Sequence, residues 1–142
     1  MLPAINQWIH LTAAVVGLGG VVFIRLILFP VLQATDPDTA KSLQPRITAR
    51  FVPVLWLCLT LLLLTGPYNI HILADRGFDN LPSAYLHALL AKLVLVVILF
   101  FSAAVATFPM FARFKSKRPA LLLLNVVLGI LILLLSAFLR RI

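Results

Sequence analysis

Glutamate is absent from this 142-residue chain, and the only acids are Asp36, Asp38, Asp75 and Asp79. All four stand in polar stretches between apolar runs and are expected in loops. A carboxylate proton relay or a carboxylate cation site inside an apolar span is thereby excluded. Cysteine is almost absent too. Cys58 stands alone in WLCLTLL, so neither a disulfide nor a thiolate metal cluster can be built within one chain, and core packing is the role expected of it. Methionine is confined to Met1 and Met110, which leaves little thioether for a soft metal such as Cu(I). Charged residues make up 11% of the chain, against about a quarter in soluble domains.

Apolar side chain fills the gap. Hydrophobic residues account for 63% of the sequence and the mean hydropathy is +1.12, the composition of a membrane protein. A hydrocarbon core of about 30 Å takes roughly 20 helical residues to cross. Four stretches meet that length, near 8–32, 51–73, 83–108 and 119–139. They leave no room for a soluble domain or a β-barrel, so the expected fold is an all-α integral membrane four-helix bundle forming a single transmembrane domain over 1–142. The first stretch is not read as a signal peptide. No basic region precedes it, it is too long, Arg25 interrupts it, and it is expected to stay in the mature protein.

The net charge of +8 would suggest nucleic acid in a soluble protein, but here the basic residues divide by loop. Lys41, Arg46 and Arg50 follow the first span, and Arg113, Lys115, Lys117 and Arg118 follow the third. On the other side are Arg76 after the second span and Arg140 and Arg141 at the C-terminus. An excess of seven over three puts the two basic loops in the cytoplasm and both termini outside. Charges split among short loops do not indicate nucleic-acid binding.

In that orientation His10, His71 and His87 all fall toward the outer face. His10 opens the first span in the context Trp8, Ile9, His10, and His87 opens the third in the context Tyr85, Leu86, His87. The first span closes on Phe29-Pro30 and the third on Phe108-Pro109, each followed by a basic loop. The pattern reads as a degenerate parallel repeat of two helix pairs, in which His10 and His87 are pseudo-equivalent and could share a site. The plainer alternative is that aromatic and histidine side chains favour the membrane interface.

Ala13, Gly17 and Gly20 recur on the His10 face at helical spacing, a small-residue strip that admits another flat surface, either a helix or a porphyrin. Ser102 and Ala106 form a comparable strip that is read as helix packing. Arg25 and Lys92 are cations inside spans without an acid nearby. Arg25 can snorkel inward or meet Asn125, and Lys92 requires a neutral state, a water-filled cavity or an anion supplied from outside the chain. Pro67 in LLLLTGPYNIH either kinks the second helix or ends it at Gly66-Pro67; the second reading is preferred and leaves His71 in an exposed loop.

The runs WIHLTAAVVGLGG, ARFVPVLWLCLTLLLLTG, GFDNLPSAYLHALLAKLVLVVILFFSAAVATFP and NVVLGILILLLSAF together resemble the short CopD-like proteins, related to the membrane domain of the copper-resistance D proteins. The resemblance covers nearly the whole chain. It implies a bacterial inner-membrane four-helix protein linked to copper handling, with His10 and His87 matching the family's recurrent histidines. The chain is also faintly similar to the HemJ-type protoporphyrinogen oxidases, four-helix proteins that bind haem b. His10 and Arg25 would match a histidine and a downstream arginine there, although the Leu-Pro-Arg context is absent.

Three functions follow as expectations. In the first, haem b is held between His10 and His87 for electron transfer or oxidation, with room supplied by Gly17 and Gly20, Lys92 meeting a propionate, and Arg25 as a further cofactor-binding candidate. In the second, the same histidines bind copper or admit it at the periplasmic face. In the third, the chain is a cofactor-free assembly subunit. Beyond the lipid bilayer, the partners implied are a redox partner or a periplasmic copper protein and a second copy in a homo-oligomer. Participation of His71 at the metal is left open.

Overall fold

A computed structural model describes residues 1–75, 77, 81–108, 113, 116–139 and 141. Of the positions singled out above, Arg76, Asp79, Pro109, Met110, Lys115 and Arg140 lie outside the described residues. The described chain is all-α. Four helical stretches, Leu2–Ala34, Pro37–Ile72, Ser83–Thr107 and Arg118–Leu139, are long and apolar enough to cross a membrane. The chain is a multi-pass membrane protein, and large apolar side chains such as Trp8, Val15, Leu64, Val97 and Phe101 are exposed along these stretches, as lipid-facing surface requires.

The first span begins earlier and ends later than hydropathy indicates. Helix α1 runs Leu2–Phe23 with Pro3 in its first turn, where a missing N–H costs nothing. It continues without interruption through a π turn, Ile24–Leu28, into α2, Phe29–Ala34. Phe29-Pro30 therefore does not close the helix, contrary to expectation. A proline in a regular helix collides with the carbonyl four residues back and leaves it without a donor. The widened turn before Pro30, in which the Phe29 N–H reaches the carbonyl of Ile24, accommodates the ring. At the counterpart position, the helix Ser83–Thr107, α4, stops and Phe108 is extended, the conformation that a following proline favours.

The second span differs more. Helix α3 runs Pro37–Ala74, so the basic segment with Lys41, Arg46 and Arg50 is helix and not loop. Asp36 starts it: its carboxylate accepts from the Thr39 backbone N–H at 3.1 Å and from the Thr39 hydroxyl at 3.2 Å, satisfying a donor that the helix start leaves unpaired. Asp38, expected in a loop, lies in the first helical turn, where a negative charge is favoured by the helix dipole. The helix also passes through Pro45, Pro53 and Pro67. The expected termination at Gly66-Pro67 does not occur, and His71 is helical and exposed. In an apolar medium a broken helix strands several backbone groups, whereas an embedded proline strands one.

Helices α4, Ser83–Thr107, and α5, Arg118–Leu139, match their expected bounds to within one residue.

The chain divides into two compact units, residues 1–72 and 73–142. In the first, the buried positions of α1 are Ala13, Gly17 and Val21, one helical turn apart. Those of α3 include Leu55, Cys58, Leu59 and Thr65. A side chain at Gly17 would come within 3.2 Å of Cys58 Cβ, and one at Gly20 within 2.7 Å of the Phe51 ring. The surface that the small-residue strip admits is thus α3, and Cys58 packs in that seam as a free thiol. In the second unit α4 packs on α5; the buried positions of α4 are Ala88, Ser102, Ala103 and Ala106, and those of α5 are Asn125, Val126, Leu128 and Gly129. Ser102 and Ala106 are helix packing, as expected.

Candidate functional site

The densest polar grouping described lies between α1 and α3. Asn6 and His10 are four apart on α1, and Thr65 and Asn69 are four apart on α3, so each pair projects from one face. The helices run antiparallel, with Asn6 opposite Asn69 and His10 opposite Thr65. The Asn6 amide donates to Asn69 Oδ1 at 2.9 Å and to the Thr65 carbonyl at 3.2 Å. His10 Nδ1 lies 2.7 Å from Thr65 Oγ1, and that hydroxyl in turn donates to the Leu61 carbonyl at 2.6 Å.

This chain of contacts assigns the imidazole tautomer. The Thr65 hydroxyl has a single proton, and the Leu61 carbonyl, one helical turn back, takes it. Thr65 Oγ1 is thereby placed to accept from His10 Nδ1–H, which in a neutral ring puts the lone pair on Nε2. A hydrogen bond on one ring nitrogen that orients the other is the arrangement common to metal-bound histidines. Gly66 stands beside the ring, where an added Cβ would approach His10 Cε1 at 4.0 Å. Asn6, Thr65 and Asn69 were not singled out by sequence. The available signal was the pair of four-residue spacings, Asn6 to His10 and Thr65 to Asn69, within otherwise apolar helices.

The remaining candidates are distributed. His87 is exposed on α4, and its Nδ1–H donates to the Ser83 carbonyl at 2.7 Å within its own helix. It belongs to the second unit. His71 is two residues beyond Asn69, which at 100° per residue puts it on a different face of α3 from Thr65 and Asn69. Gly17 and Gly20 face α3, as described. Arg25 occupies the π turn, with its guanidinium carbon 5.8 Å from the Phe29 ring centroid and a buried Nε that meets no hydrogen-bond acceptor among the described residues. Asn125 has its own partner, accepting a short hydrogen bond from the Ser102 hydroxyl across the α4–α5 seam. Lys92 is half-buried and projects within about 40° of Ala88 and about 20° of Ala103 around α4, in the arc that α4 buries. Among the described residues no three histidine, cysteine or acidic side chains converge as a metal centre.

The sequence model of the family described as copper resistance protein D, CopD, matches residues 45–139. The match takes in most of α3 and all of α4 and α5, with His71, His87 and Lys92, and leaves α1 outside. It carries the CopD resemblance and not the fainter HemJ one. No curated protein and no solved structure matches the chain.

Proposed function

The chain belongs to the copper resistance protein D family, and from that premise we propose that it binds copper at the outer membrane face through His10, either to admit the ion or to exchange it with a periplasmic copper protein. The observation that carries this reading is the Thr65 hydrogen bond to His10 Nδ1, which orients Nε2 as the ligating nitrogen. Copper is cargo here. An imidazole suits borderline Cu(II), and a single one suits a stopping point better than a closed structural site. His87, whose Nδ1–H donates within its own helix, lies in the second unit and is not needed by this reading. Lys92 and Arg25 are basic residues and neither is given a ligand role. The positive-inside rule supports both termini in the periplasm and the inner membrane of a bacterium as the location.

A haem b between the histidines receives less support. It drew on open space beside Gly17 and Gly20, and Cys58 and Phe51 fill that space. The deciding experiment is dialysis of detergent-purified protein against Cu(II), with copper and visible absorbance both read. We expect about one retained copper per chain, lost in His10→Ala, because removing a sole anchoring imidazole removes most of the affinity. A Soret band without retained copper would transfer the histidines to haem. Absence of both would leave an assembly subunit and refute the copper reading.

A further inference from the structure

At the end of α1 and α3 opposite His10 lies an open groove of about 480 Å³, which the copper reading does not use. Its floor is apolar: Phe23 and Ile24 from the first helix, Phe51 and Val54 from α3. Its rim is Arg46 and Arg50. The two arginines are one helical turn apart and project from one face of α3, where like charges oppose each other. Among the described residues neither forms an ion pair, and the nearest acid in sequence, Asp38, lies two turns before Arg46. Two adjacent guanidiniums with no carboxylate form a fork suited to a bidentate anion.

The level of the groove identifies the anion. Arg50 is the last charged residue before the apolar run that begins at Phe51, so the guanidiniums stand where the chain passes from water into hydrocarbon. Phosphodiesters of the bilayer occupy that level, and basic pockets between helices on the cytoplasmic side bind acidic headgroups. The apolar floor continues from this rim toward the membrane interior, as an acyl chain does.

We propose that this groove is a site for an anionic phospholipid, with its phosphodiester held by Arg46 and Arg50 and one acyl chain lying along Phe23, Ile24, Phe51 and Val54. The headgroup orders the basic start of α3 by cancelling the repulsion between the two arginines. The site is independent of copper.

The test reconstitutes copper-free protein in nanodiscs of equal phosphatidylglycerol and phosphatidylcholine, then quantifies the lipid that survives detergent extraction with the protein. The parent should retain phosphatidylglycerol in preference by about 30-fold, the order expected of two basic residues at the membrane surface. Arg46→Gln/Arg50→Gln should lose the preference, and Val54→Trp, which fills the floor without changing charge, should lose the retained lipid. Lys41→Gln/Lys117→Gln removes the same charge away from the groove and should keep both. A control double variant that loses the preference equally would reduce the effect to bulk electrostatics and overturn the site. Retention in Val54→Trp would overturn the acyl-chain assignment. Displacement of the lipid by inorganic phosphate would make this a soluble-anion site instead.

Discussion

His10 and His87 stand in nearly the same local sequence, aromatic, aliphatic, histidine at the opening of an apolar helix, yet they are used differently. His10 is half-buried and bonded across a helix seam to Thr65, in a network that Asn6 and Asn69 extend. His87 is exposed and bonded to its own helix. The difference arises on the partner helices. Alpha-3 offers Thr65 and Asn69 at the level of His10, whereas the side-chain polar pair Ser102 and Asn125 of the α4–α5 seam lies about four turns of α4 beyond His87. A local motif sets where a side chain starts. What crosses from the neighbouring helix decides whether it is held in one orientation.

That contrast is most directly broken at Thr65. Thr65→Val keeps the shape of the side chain and removes the acceptor of His10 Nδ1–H, so the ring loses its fixed tautomer. Loss of such a supporting hydrogen bond typically lowers metal affinity by about 10- to 100-fold, and Cu(II) titration of purified variant and parent should show a change in that range. His87→Ala, which removes an imidazole with no cross-helix support, should cost less than tenfold by the same reasoning. An affinity unchanged in Thr65→Val would mean that the ring orientation is not what serves the ion.

The sequence revealed some of this and not the rest, for identifiable reasons. Alpha-4 and α5 were legible almost to the residue because each is predominantly apolar along its length and bounded by proline: Pro82 before α4 and Pro119 at the start of α5. The start of α3 was not, because hydropathy registers the apolar window at 51–73 and is blind to a polar extension. That extension is helical through its helix-forming Lys41, Gln44, Arg46 and Ala49 and the Asp36 cap. Pro67 misled in the opposite direction, since the rule that proline ends helices is calibrated in water, where freed carbonyls can be solvated. His10 was legible as a candidate. Its partners Thr65, Asn6 and Asn69 were not, because which faces of α1 and α3 meet is decided by the Ala13–Gly17–Val21 seam, a tertiary fact.

The second helix pair is tested through stability. Ser102→Ala leaves the buried Asn125 side chain without its donor, and interhelical hydrogen bonds in membranes are worth about 0.6 to 2 kcal/mol. We expect a loss of about 1 kcal/mol in detergent unfolding, with copper affinity unchanged. Ser102→Ala/Asn125→Leu should recover most of it, because removing both partners abolishes the unsatisfied group. A double variant that is less stable than the single would show that Asn125 contributes more to the seam than this one bond.

The smallest effect is expected at His71, which resembles His10 in residue type and in closeness to the same end of the membrane. It lies six residues beyond Thr65 and two beyond Asn69, which at 100° per residue is about 120° and about 160° around α3 from those two side chains. His71 is also exposed. His71→Ala should therefore leave Cu(II) affinity within about twofold of the parent and leave stability within the ±0.5 kcal/mol typical of exposed positions. Tenfold weaker copper binding in this variant would require His71 to reach the same ion as His10. The regular helix after Pro67 does not permit that, so the result would move the turn around Pro67, and not the histidine count, to the centre of the site.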